Sequence, residues 1–429
     1  MLAMTRVVKV LFAAALLLCG AGSATAQTSG PVTIEYWHVN TEVFGGPAVR
    51  ELVSKFESLN PGIKVIERFQ PNTYTGLLQN LQTRVAAGNP PDVAQIGYLY
   101  VDYAAKNFPY VPVADLMAAE HNNGMVRNAA PAALRLGMRG GKLVGMPYAI
   151  SNIVTFYNAD MLKAAGLDPA RPPQTWAEWT GAARKIKAAT GKPGIYVQVL
   201  DDNWSTQAMI ESNGARMMTC TPSGAKPSFD SPEGAQAIGM WGDLVKEGLA
   251  LNVLWNQGEQ AFLAGQVATF ITTIAKRETL QKNAKFDLRA TGFPRFGNRA
   301  PRLPAGGNVL MVFSQSSEKR LATLKFIEYL ESPTAFAIWT RGTGYIPVNV
   351  HTPEVLGDFL QSNPIERVAI DQTKYVVPWT SFPGKDGLQA QQALFAALQR
   401  SLAGANAATA LHEAAASVAP MIAGERCTV

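Results

Sequence analysis

Apolar and polar positions alternate from Val32 to Trp37, in a segment rich in β-branched and aromatic residues, which predicts a strand. Val49, Leu52, Val53, Phe56 and Leu59 then recur at helical spacing, and Asn60-Pro61-Gly62 ends that stripe. Ile63 to Ile66 is a second extended run. Tyr74, Leu77, Leu78, Leu81 and Val85 form a second helical stripe closed by Gly88, and Asp92 to Ile96 is a third strand. Strand–helix–strand–helix–strand implies right-handed crossovers and a parallel sheet, with ligands bound beyond the carboxyl ends of its strands.

A second unit of the same α/β class follows. Leu143–Pro147, Ile153–Tyr157 and Gly194–Leu200 are extended in pattern, and Thr175-Trp176-Ala177-Glu178 is a capping box opening a helix that runs through Ile186 to Gly191. Ser231-Pro232 opens another, with Ile238, Trp241, Leu244 and Val245 inward and Gly248 as its stop. Phe262 is expected to begin a short helix ending at Gly265, before a strand from Val267 to Ile271. Helices near 317–330, 334–340, 388–402 and 408–422 fill the last third. Segments 147–152, 301–307 and 342–347, dense in Pro and Gly, are where the chain is expected to cross between units.

The N-terminus changes the picture. Arg6 and Lys9 precede the wholly apolar Val10–Leu18, and Ala24-Thr25-Ala26 follows with the small residues of a cleavage site. Residues 1–26 are therefore expected to be a secretory signal that sends the chain to the periplasm. Bulky Leu18 before Cys19 argues against a lipid anchor there. Cys220 and Cys427 would remain, either paired in an oxidising compartment or as separate thiols, and both readings stay open.

Composition mostly excludes. Among 429 residues, 38 are Lys or Arg and 32 Asp or Glu, a mild excess with no basic cluster interleaved with aromatics, so no nucleic-acid partner is expected. His38, His121, His351 and His412 stand isolated, as surface or capping residues do, and no metal or other cofactor is implied. Phosphate-cradling and nucleophile-elbow motifs are absent. Asp201-Asp202 is one adjacent carboxylate pair, a poor arrangement for acid–base work across a bond. Trp176, Trp179, Trp241 and Trp339 fall on helices and are assigned to the core. Trp204 and Trp255 instead sit among Asp, Asn and Gln in what are expected to be polar loops. A flat apolar ring flanked by amides and carboxylates suits a sugar.

Several ordered pieces then resemble the family 1 extracellular solute-binding proteins of ABC importers, which include maltodextrin and glycerol-3-phosphate binders. They include Tyr36-Trp37-His38, Asn60-Pro61-Gly62-Ile63-Lys64-Val65, Ala86 to Val93, Phe156 to Asp168, Pro173 to Trp179, Phe262 to Ala268 and Gly342 to Val348. The resemblance implies a periplasmic-binding-protein type II fold, two doubly wound α/β lobes joined by a hinge with three crossings. The lobes would be residues 27–148 with 305–342 and residues 152–303 with 347–429. A carbohydrate ligand would close them, and an importer's transmembrane permease would receive it from a monomeric binder that catalyses nothing.

Carried over position by position, the resemblance implies ligand contacts at Tyr74, Ser151, Asp202, Trp204, Trp255, Thr273, Gly307, Tyr345 and Gln391. Two positions depart from the relatives. No carboxylate stands near Gly97-Tyr98-Leu99, and Asp102 is several residues late. Where phosphate binders carry an Arg and maltodextrin binders a Trp, this chain has Gln391, which has neither charge nor stacking face. The expected ligand is accordingly a neutral mono-, di- or short oligosaccharide or a polyol. Glycerol 3-phosphate or a glycerophosphodiester is the alternative, and a secreted carbohydrate-active enzyme a distant one for lack of opposed carboxylates.

Overall fold

The computed structural model describes residues 30–200 and 202–427. The expected signal segment 1–26, Cys19 and Asp201 lie outside the described residues.

The chain begins β1 (Val32–His38), α1 (Gly46–Leu59), β2 (Ile63–Phe69), α2 (Thr73–Ala86) and β3 (Val93–Gly97), close to the positions that periodicity predicts. After short helices come β4 (Met146–Ser151) and β5 (Ile153–Asn158), separated by Asn152 alone. Next are α3 (Trp176–Thr190), α4 (Trp204–Ser212), α5 (Pro232–Lys246), α6 (Trp255–Leu263), β6 (Thr269–Thr273), α7 (Arg277–Asn283) and β7 (Leu288–Thr291). The remainder contains β8 (Leu303–Pro304), β9 (Gly306–Val312), α8 (Ser317–Leu330), α9 (Pro333–Gly342), α10 (Pro364–Asp371), β10 (Val376–Val377), α11 (Gly387–Leu402) and α12 (Ala407–Met421).

Two main sheets result. The first has the order β2-β1-β3-β9-β4, and the second the order β6-β5-β7. Phe56 of α1 and Phe326 of α8 pack edge to face beside Tyr36 of β1, covering the first sheet. In the second, Tyr196 and Phe262 both stack on Phe270. Adjacent β4 and β5 belong to different sheets, so the chain passes between them at Asn152. That residue is fixed there, its side-chain amide donating to the Ala369 carbonyl at 2.7 Å.

The structure corrects several expectations. The first sheet is mixed: β1 pairs in parallel with β2 and β3, whereas β9 runs antiparallel to both β3 and β4. In the second, β6 and β7 both run antiparallel to β5, and Gly194–Leu200 joins only through isolated bridges such as Val197–Ile271. α6 starts at Trp255 rather than Phe262, because the Gln257 side chain accepts the Leu254 N–H and caps the first turn. Trp204 opens a helix instead of lying in a loop. His38 is buried, its imidazole 2.5 Å from Glu67 and its pKa lowered chiefly by desolvation. Cys220 and Cys427 form a disulfide, which ties the C-terminal segment to the hairpin of Met218–Thr221 and Gly224–Pro227.

Candidate ligand-binding site between the two sheets

The loop after β1 is held by amides. Val39 N–H donates to Gln95 Oε1 at 3.3 Å, and the Gln95 amide donates to Tyr36 and Asn40 at 2.6 and 3.2 Å. Gly45 ends the loop at φ 82°, where a Cβ would meet Thr343 at 2.9 Å. The loop presents Phe44 beyond the carboxyl end of the strand. Its ring lies 6.0 Å from Trp255, edge-on at 89°, and 6.3 Å from Tyr345. Phe44 thus meets a ring from the opposite half of the molecule.

Tyr74 is the second residue of α2, directly after Asn72 and Thr73, two non-glycine residues with φ of 59° and 56°. Such left-handed backbone is strained for side-chain-bearing residues and gathers at functional places. A side chain at Gly97 would lie 2.7 Å from the Tyr74 ring, so only glycine leaves the ring its seat. The Tyr74 hydroxyl accepts from Asn308 Nδ2 at 2.9 Å and hydrogen-bonds Tyr345. Tyr345 stacks on Trp339 at 5.4 Å with planes 3° apart. Burial raises the pKa of Tyr74, Tyr98 and Tyr345, which keeps all three hydroxyls protonated. The Tyr98 hydroxyl and Asn308 Oδ1 are buried with no hydrogen-bond partner.

From the second sheet, Trp255 Nε1 donates to Thr272 Oγ1 at 2.9 Å, and that hydroxyl donates to Gln198 at 2.5 Å. Lys276 Nζ lies 4.5 Å above the Trp255 ring and 5.0 Å from that of Phe44, paired with Glu259 at 2.8 Å.

Gly306-Gly307-Asn308 links this cluster to a second one at the crossing. Gly307 has φ 115°, and a Cβ there would fall 1.9 Å from the Ala149 carbonyl, so the close pairing of β9 with β4 requires glycine. Gly306 faces Ser151 across the ladder and lies under the edge of Trp204, where a Cβ would come within 3.0 Å of the ring. Trp204 is 2% exposed, its Nε1 donating to the Pro304 carbonyl at 2.8 Å and its ring 6.2 Å from Trp379.

The sequence-derived candidates therefore divide. Tyr74, Tyr345 and Trp255 gather about Phe44, whereas Gly307 lies in the β9–β4 pairing beside Ala149 and Ile150, and Ser151 and Trp204 lie at the crossing. Asp202 Oδ1 accepts the Trp204 N–H at 3.0 Å and so caps α4, while Thr273 Oγ1 accepts the Ala275 N–H at 3.1 Å and caps a turn. Gln391 is buried on α11 with both amide atoms unpartnered. Asp102 is held by Arg139 at 2.7 Å. Phe44, Tyr98, Asn308, Lys276 and Glu259 were missed. Phe44, Tyr98 and Lys276 all follow the carboxyl ends of strands, the signal that could have found them. Among the described residues no group of His, Cys, Asp or Glu is arranged to hold a metal.

A family model for bacterial extracellular solute-binding proteins matches residues 51–365, well over half of the chain. The chain belongs to this family. Among curated solute-binding relatives, the sn-glycerol-3-phosphate-binding periplasmic protein UgpB of Salmonella typhimurium is 26% identical over 377 residues, covering 83% of this chain and 84% of that one. Two solved structures share the fold. One is UgpB from Mycobacterium tuberculosis in complex with glycerophosphocholine, with a TM-score of 0.81 and 22% identity over 92% of this chain and 98% of that one. The other is the cyclic α-maltosyl-1,6-maltose binding protein of Arthrobacter globiformis, with a TM-score of 0.74 and 23% identity over 91% and 99%. The type II two-lobed architecture of these solute-binding proteins is that of the present chain.

Proposed function

We propose that this solute-binding protein captures a neutral carbohydrate or polyol between its two sheets and delivers it to the transmembrane permease of an ABC importer. It acts in the periplasm as a monomer, after loss of residues 1–26, and performs no chemical step. The lobes that close on the ligand are residues 27–148 with 305–342 and 152–303 with 347–429. One observation carries the reading: Phe44 and Trp255 meet edge to face from opposite halves of the molecule, and Phe44 also neighbours Tyr345, whose partner Tyr74 takes the amide of Asn308 and leaves the carbonyl oxygen of Asn308 unpartnered. A sugar ring presents both surfaces these need, a C–H face for aromatic rings and hydroxyls for buried polar atoms. The cation at the rings, Lys276, is already neutralised by Glu259.

A second reading is favoured by the named ligand of the relatives at 26% identity, glycerol 3-phosphate. Lys276 would then have to exchange its Glu259 partner for phosphate.

Thermal unfolding of the mature protein against maltose, glucose, glycerol, sn-glycerol 3-phosphate and glycerophosphocholine tests both. A ligand that binds only the folded state stabilises by about 2.7 kcal/mol at a hundred times its Kd. The expected result is a shift with a neutral sugar or glycerol and recovery of that ligand unchanged. A shift confined to the two phosphate compounds replaces the first reading by the second.

A further inference from the structure

Arg277 opens α7 just beyond β6 of the second sheet and is almost fully buried. Its guanidinium is engaged on four sides. Nε donates to Glu366 Oε2 at 2.9 Å and Nη1 to Gln281 Oε1 at 2.7 Å. Nη2 donates to the carbonyls of Thr340 and Arg341, both at 2.8 Å. Those two carbonyls belong to the last turn of α9, which packs against α1 on the first sheet. The final carbonyls of a helix have no partner within it and carry the negative end of its dipole, so a buried cation there is well placed.

Further bonds cross at the same place. The Glu278 N–H donates to the Thr343 carbonyl at 3.2 Å, and Thr279 Oγ1 donates to the carbonyl of Val43, beside Phe44. Gly344, at φ 122°, lies so close to Ile274 and Arg277 that a Cβ would fall 2.4 Å from the Ile274 carbonyl oxygen. The gripped turn leads straight to the site: Thr340 Oγ1 donates to the Tyr345 carbonyl at 2.8 Å, and Tyr345 N–H donates to Thr343 Oγ1 at 3.0 Å.

We propose that Arg277 is a positioning residue for ligand capture: by gripping the last carbonyls of α9 it latches the second half of the molecule onto the first and holds Tyr345 at the facing rings. The role of Tyr345 rests on the capture reading above, whereas the latch itself does not. A buried ion pair is weak support for stability, since apolar replacements of both partners are often neutral, so the pair is better understood by what it holds in place. Lysine cannot substitute, because a single ammonium does not reproduce the planar fork that reaches Glu366, Gln281 and two carbonyls together.

The test compares wild type with Arg277→Lys, Thr279→Val and the paired Arg277→Met/Glu366→Leu, which leaves no lone buried charge. Circular dichroism selects folded variants, small-angle X-ray scattering without ligand reads compactness, and titration with maltose and with sn-glycerol 3-phosphate reads affinity. The paired variant is expected to fold, to scatter as a more open molecule, and to lose at least ten-fold in affinity for whichever compound wild type binds. Arg277→Lys is expected to fall between it and wild type, and Thr279→Val to open the molecule least. A folded paired variant as compact as wild type overturns the latch. Should the paired variant not fold, unchanged compactness in both single variants overturns it equally. An open paired variant with unchanged affinity rejects the positioning of Tyr345 alone. If wild type binds neither compound, the capture reading loses support while the scattering still decides the latch.

Discussion

Trp204 and Trp255 look alike in the sequence, each a tryptophan among Asp, Asn and Gln, and the fold uses them differently. Trp204 lies at a crossing where the groups that hold its ring are matched, the buried Ser205 hydroxyl beside it being the exception. Its Nε1 meets Pro304, Asn203 holds Trp379 and Thr380, and Gln207 holds Pro378 and Thr380. Trp255 meets a ring from across the interface and a cation from its own half, and that ring, Phe44, also neighbours Tyr345, which with Tyr74 leads to the unpartnered Asn308 carbonyl oxygen. A ring whose polar atom is already bonded to the protein holds the molecule together, whereas unmatched polar atoms beside rings that meet across an interface leave hydrogen bonds for a ligand to make.

The largest effect should come from Trp204→Ala. It removes a core ring together with its hydrogen bond, and about 3–5 kcal/mol of stability should go with it, seen as a lower Tm of the ligand-free protein. An unchanged Tm with lost affinity would reverse the comparison and make Trp204 the stacking residue. Trp255→Ala is expected to cost at least ten-fold in affinity, about 1.4 kcal/mol, with a smaller loss of ligand-free stability than Trp204→Ala. Titration calorimetry beside thermal unfolding separates the two.

Unmatched polar atoms are the crux, and Glu331 is a further test of them. Both its carboxylate oxygens are buried without partners, and desolvation raises its pKa well above the ordinary carboxylate value. The folded protein therefore keeps a proton that the unfolded chain has released above about pH 4.5, so this group makes stability fall as pH rises. Burial pushes the Glu366 carboxyl up as well, while the Arg277 guanidinium beside it pulls it back, so any net rise acts with the same sign. Glu331→Leu should stabilise by about 1–3 kcal/mol, more at pH 8 than at pH 5, and flatten the pH dependence of Tm without abolishing it. Affinity lost along with that gain would place Glu331 among the ligand contacts. The smallest effect is expected of Asp202→Ala, about 1 kcal/mol for a lost helix cap, with Asp202→Ser restoring it. If Asp202→Ser regains stability but not affinity, Asp202 is a ligand contact as well as a cap.

Much of the fold was legible because its signals are local. The stripe through Val49 to Leu59, the Thr175–Glu178 capping box and the Ser231-Pro232 start each depend on residues within a few turns of one another, and the elements lie where those signals put them. Strand direction was not legible. β9 reaches the first sheet only after the chain has built the second, and antiparallel pairing there is set by where it re-enters. At the candidate site, the resemblance named Tyr74, Trp255 and Tyr345, which the fold gathers about Phe44, but not Phe44 and Lys276 themselves, which meet their neighbouring rings only in the folded chain.

By itself, then, the sequence determined most helices with their caps and stops, most strands, four of the buried tryptophans and the family. Periodicity and capping are properties of neighbouring residues, and the ordered motifs are properties of the chain. Tertiary structure alone decided which tryptophan is walled in and which faces another ring, that Cys220 pairs with Cys427, and that Arg277 grips a helix end from the other half. Each of these depends on a distance between residues that are remote along the chain, and only the packed core brings them within reach.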